Sequence, residues 1–132
     1  MDREAAWGRS LGTSTAVLAL KRPYDRRKFL DRAAKAARGR SRRKRRHAIA
    51  LYREVLAREP ADPDLNHKLA ELFAKEGDLG AAASSYRRAS EGYAKRGFGD
   101  HAVGVLRDAV HWIPRDVELW LALARLELER GR

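Results

Sequence analysis

The chain has 132 residues, enough for one small domain or a short array of repeats, and 44% of them are hydrophobic, which supplies a modest core. It contains no cysteine, which excludes disulfides and cysteine-ligated zinc. The formal net charge of +11 lies wholly in the first half: residues 1–60 hold 18 Lys/Arg against 6 Asp/Glu, and residues 61–132 hold 11 against 12.

Residues 1–25 have no sustained period and read as a flexible arm, with a helical turn near Ala16–Lys21. Trp7 is the arm's candidate for an exposed anchor, unless the arm is disordered. The apolar stretch Leu11–Leu20 contains Gly, Ser and Thr and is too short to span a bilayer. It follows Asp2 and Glu4 and lacks a clear cleavage site, so it is a poor signal peptide. A soluble cytoplasmic protein is the expectation, and Arg/Ala-rich usage hints at a GC-rich bacterial source.

From Arg26 the pattern turns helical. Phe29, Leu30, Ala33, Ala34 and Ala37 form one apolar stripe. Gly39 and Ser41 close it, and the run from Arg38 to Arg46 reads as a basic connecting loop with seven cations in nine residues. A second helix over about 45–59 turns Ala48, Leu51, Tyr52, Val55 and Leu56 inward. Pro60 and Pro63 then mark a turn in which Asp62 or Asp64 can cap the next helix.

That helix, about 64–76, carries Leu65, Leu69, Ala70, Leu72 and Phe73 and stops at Gly77-Asp78. Further helices are predicted from Gly80 to Arg96, over 99–112, and over 116–130 with Leu119, Trp120, Leu123, Ala124, Leu126 and Leu128. Five or six antiparallel helices with short turns and no strand pattern make an all-α chain, with residues 26–132 as its helical repeat domain.

Ala48, Tyr52 and Val55 recur as Ala82, Tyr86 and Ala89, 34 positions on. That period is the signature of a helix–turn–helix repeat. With Asn66-x2-Leu69-Ala70-x2-Phe73, Gly77 and Ala82-x3-Tyr86-x2-Ala89, the chain resembles the tetratricopeptide (TPR) family over about residues 45–132. Partial copies read Ala48-x3-Tyr52-x2-Val55 with Pro60, and Ala102-x3-Leu106-x2-Ala109 with Pro114 followed by Trp120-x2-Leu123-Ala124 and Gly131. The resemblance implies a short TPR-like α-solenoid of antiparallel helix pairs, used for scaffolding and peptide binding. Its repeat core would be Ala48, Tyr52, Leu69, Ala70, Phe73, Ala82, Tyr86, Ala89, Tyr93, Ala102, Leu106, Ala109, Trp120 and Leu123.

Two departures qualify the likeness. Pro60 to Pro114 and Asn66 to Trp120 are each 54 residues, where two repeats need about 68. Ala89, Ser90, Tyr93, Gly97 and Ala102 also repeat the spacing of Leu69, Ala70, Phe73, Gly77 and Ala82. The expectation is one long helix shared between two repeats, with a bend in the array or altered pairing of the final helices. The other departure is the segment 117–128, VELWLALARLEL, which is apolar on more than one side. It predicts self-association, a further segment, or a partner helix, unless one broad stripe is simply buried.

For chemistry the sequence offers little. His47, His67, His101 and His111 form no i, i+4 pair, and His67 with Glu71 on one helix face is not a site, so no metal and no cofactor are expected. No nucleophile–base motif, P-loop or dinucleotide fingerprint appears. The chain is expected not to be an enzyme. The basic residues Arg38, Arg40, Arg42, Arg43, Lys44, Arg45 and Arg46 fit contact with non-specific nucleic acid, anionic lipid or an acidic protein surface, or a solvated loop. No aromatic lies among them to stack bases.

The resemblance maps a partner groove to His67, Lys68, Glu71, Lys75, Leu121 and Arg125, where Glu71 disfavours capture of a C-terminal carboxylate. The expected function is a non-catalytic protein-interaction module, with polyanion binding or a self-associating structural subunit as alternatives.

Overall fold

A computed structural model describes residues 24–131 and contains six helices: α1 Arg26–Ala37, α2 Arg42–Arg58, α3 Pro63–Lys75, α4 Leu79–Lys95, α5 Gly99–Trp112 and α6 Val117–Glu129. No strand occurs among the described residues. Trp7, the Ala16–Lys21 turn and nearly all of the N-terminal arm lie outside them. Tyr24 and Asp25, assigned to that arm from sequence, instead join the fold. Asp25 caps α1, and the Arg58 guanidinium sits 4.0 Å from the centre of the Tyr24 ring.

The helix starts follow from short polar side chains that accept otherwise unpaired backbone N–H groups. Asp25, Ser41, Asp62, Asp78 and Asp116 each accept the N–H three residues on, at 3.0–3.2 Å. Of the two cap candidates before α3, Asp62 takes the role, while Asp64 pairs with Lys68 at 3.1 Å. The ends of α3 and α4 share one device. Gly77 and Gly97 have φ of 82° and 83°, which a side chain would resist. Each donates back to a carbonyl three residues earlier, and the following residue donates to Phe73 or Tyr93, the paired bonds of a Schellman motif.

Successive helices are antiparallel and pack on one another. Arg42 at the start of α2 meets Glu76 at the end of α3, Gly92 late in α4 lies against Pro63 at the start of α3, and Arg107 reaches Glu127 between α5 and α6. α4 packs against both α3 and α5. The core is continuous through all six helices and includes Ala33, Val55, Leu69, Tyr86, Leu106 and Leu119. Ala48, Tyr52, Ala70, Phe73, Ala82, Ala89, Ala102, Ala109 and Leu123 are buried too, and Tyr93 is partly buried.

Three sequence expectations need correction. The basic run is only partly a loop: residues 38–41 connect α1 to α2, while Ser41 caps α2 and Arg42–Arg46 form its first turns. The helix from Leu79 to Lys95 is not exceptional in length, since it has 17 residues and so does α2. Counting 34 residues from α4 leads into α6, from Tyr86 to Trp120 and from Ala89 to Leu123, while the same step from His67 in α3 leads to His101 in α5. On that count α5 lies one 34-residue step after α3, and α6 one step after α4. The sequence misled because any helix buried on two sides repeats apolar residues at i, i+4 and i+7.

Trp120 is the third correction. It is 48% exposed, and its indole Nε1 donates to the Pro114 carbonyl at 2.8 Å. The buried anchors of α6 are Leu119 and Leu123. Leu119→Ala is therefore expected to cost about 2–5 kcal/mol of stability, and Trp120→Ala less than about 1 kcal/mol. Urea unfolding of the two variants measures the difference; equal losses would put the indole back in the core.

Candidate functional site

The six residues assigned to one groove fall on two surfaces. His67 and Glu71 sit one turn apart on α3 and face α5, where His67 Nε2 shares a 3.0 Å hydrogen bond with Asp108 Oδ2 and lies 3.8 Å from Glu71 Oε2. Tyr86 reaches the same carboxylate oxygen from α4 and donates to it at 3.1 Å. Three helices thus converge on one polar node. Burial pushes the Tyr86 phenol up, assisted by the charge of Asp108. Burial also raises the Glu71 carboxyl; neighbouring Asp108 adds to the rise and His67 opposes it. Lys68 and Lys75 are exposed beside this node.

Leu121 and Arg125 lie elsewhere, in a depression between α4 and α6 that Arg87, Glu91 and Glu118 also line. The 54-residue spacing from Asn66 to Trp120 sets α6 against α3, whereas a 34-residue step reaches α6 from α4. The outer side of α6 is the most apolar exposed surface among the described residues: Val117 is 66% exposed, Leu121 52% and Leu128 73%, with Trp120 beside them. At 100° per residue, 117, 120, 121, 124 and 128 form one stripe opposite Leu119 and Leu123.

The basic residues divide into two sets. Arg42, Arg45 and Arg46 converge on Glu76, whose side chain is only 8% exposed, at 3.2, 2.5 and 3.7 Å. Cations in the first turn of a helix oppose its dipole, and this carboxylate offsets that opposition. Arg45 is the strongest partner, being the least exposed of the three. Arg38, Arg40, Arg43 and Lys44 are exposed and have no ion pair among the described residues. Neither Glu76 nor Asp108 was singled out from sequence. Glu76 lies 31 residues from Arg45 and Asp108 lies 41 from His67, so no local motif joins them.

No protein-family model matches the chain, and no curated protein matches it in sequence.

The hydrogen bond from Arg45, with help from Arg42, holds the Glu76 carboxyl below the ordinary carboxylate range. A depressed carboxylate stabilises the fold at pH above its unfolded value, and that stabilisation is lost as pH falls through the lower folded value. Glu76→Gln should therefore lower the melting temperature at neutral pH and leave a smaller loss on acidification than the parent chain shows. Melting curves across acid pH check this; identical pH dependence in the two proteins would remove Glu76 from the account.

Proposed function

We infer that the chain is a non-catalytic protein-interaction module of the tetratricopeptide type, in which the outer stripe of α6 accepts the apolar face of a partner helix. The observation that carries this reading is the exposure of Val117, Trp120, Leu121 and Leu128 along one helix of a strongly charged protein. Contiguous apolar surface of this kind marks interaction sites. Fully covering a Val or Leu side chain contributes about 1.5–3 kcal/mol, so a few of them suffice to hold a partner.

The stripe also suits a second copy of the chain. Glu118 and Arg125 lie on the same flank, seven residues apart. An antiparallel pairing centred near Leu121 sets Glu118 of one copy opposite Arg125 of the other, and the reverse. Rim charges of this kind fix register more than they add affinity.

The exposed cations Arg38, Arg40, Arg43 and Lys44 favour a second reading, contact with a polyanion, in which Arg42, Arg45 and Arg46 already pair with Glu76. Such binding would weaken steeply with salt, whereas apolar pairing of α6 would persist.

Light scattering over a concentration series at low and high salt separates these. The expected outcome is a dimer that survives high salt and reverts to monomer in Leu121→Glu/Leu128→Glu, with helical content unchanged. A monomer at every concentration would rule out self-pairing. Salt-sensitive binding of a mixed-sequence RNA, lost on neutralising Arg38, Arg40, Arg43 and Lys44, would favour the polyanion reading.

A further inference from the structure

The polar node between α3, α4 and α5 has the donor set and the spacing of a metal centre. His67 and Glu71 are four residues apart on a helix, so their side chains stack on one face. Asp108 joins them from α5, and one ligand atom from each of the three lies within 4.8 Å of the others. A tetrahedral zinc ion with bonds of about 2.0–2.2 Å sets neighbouring ligand atoms about 3.3–3.6 Å apart. The separations from His67 Nε2, 3.0 Å to Asp108 Oδ2 and 3.8 Å to Glu71 Oε2, bracket that range.

We propose that His67, Glu71 and Asp108 form a zinc-binding site with one imidazole and two carboxylate ligands. One nitrogen and two oxygens suit a borderline divalent cation better than calcium or magnesium, which take oxygen ligands in greater number. The ion takes the place of the hydrogen now shared between His67 Nε2 and Asp108 Oδ2, so binding needs the imidazole neutral at that nitrogen. The two carboxylates balance its charge. The His67 and Asp108 side chains are each 28% exposed and Glu71 45%, which leaves a fourth position open to water.

Behind the ligands stands a support that metal sites require. Tyr86 is fully buried and its hydroxyl donates to Asp108, fixing the carboxylate towards α3. A groove lined by His67, Tyr93, Asp100, His101, Gly104 and Val105 opens beside the node and gives a small ligand a way in. The absence of a metal motif in the sequence is explained by the same geometry: the third ligand comes from another helix, so ligand spacing along the chain cannot show it.

The test is calorimetric titration of zinc into the full chain, after removal of metal by a chelator, with visible absorption of cobalt(II) as a report on tetrahedral coordination. The expected result is about one zinc per chain. Affinity should fall at least tenfold in Glu71→Gln and in Asp108→Asn, and stay unchanged in His47→Gln. Glu71→Gln is the decisive variant, because it leaves the bonds among His67, Asp108 and Tyr86 in place and so keeps the helices packed. Tyr86→Phe should weaken binding about tenfold through loss of the support. No saturable binding, or binding untouched by Glu71→Gln or lost in His47→Gln, would overturn the proposal.

Discussion

The arrangement depends on how little side chain α4 puts between its neighbours. Its buried face is Ala82, Ala83, Ser85, Ala89 and Ser90, with Tyr86 as the large exception. Small residues let α3 and α5 pack close to the helix that separates them in sequence. Close packing on α4 brings α3 near enough to α5 for His67 to bond Asp108 directly. Tyr86 spans the same gap with its hydroxyl, which as a buried polar group needs a partner and finds one in Asp108. A larger residue at Ala82 or Ala89, both wholly buried, would wedge the helices apart and break the node as well as the core.

At the other end, charge rather than volume sets the constraint. α2 opens with five consecutive cations, the least favourable composition for a helix N-terminus. It forms nonetheless because Ser41 caps it and Glu76, at the C-cap of α3, meets three of those cations. One carboxylate therefore ties the second helix to the third and offsets part of the positive charge at the start of α2. Arg38, Arg40, Arg43 and Lys44 are exposed without such a pairing among the described residues.

Much of this was legible from residue spacing. The number of helices, their inward faces and the turns at Pro60–Pro63 and Gly77 follow from helical periodicity and breaker residues, which act locally. What spacing could not supply were pairings across helices. Neither Glu76 nor Asp108 stands out by spacing, since their partners are 31 and 41 residues away. The start of α2 is hidden because consecutive cations are unfavourable at a helix N-terminus, and the carboxylate that offsets them comes from the end of α3. Trp120 matches the signature aromatic position of the repeat pattern, yet the buried position in α6 belongs to its neighbour Leu119.

That displacement of Trp120 bears on function more than any other feature of the fold. A 34-residue step aligns it with Tyr52 and Tyr86, which are 3% and 0% exposed. In α2 and α4 the aromatic ring is covered by helices on both sides. Among the described residues, α6 packs chiefly against α5, through Leu119 and Leu123. The same residue class at the same register is thus core in α2 and α4 and half-exposed in α6. The stripe from Val117 to Leu128 keeps the composition of a buried face while lying open, and that mismatch between what the residues suit and what surrounds them is the physical ground for reading α6 as a docking surface.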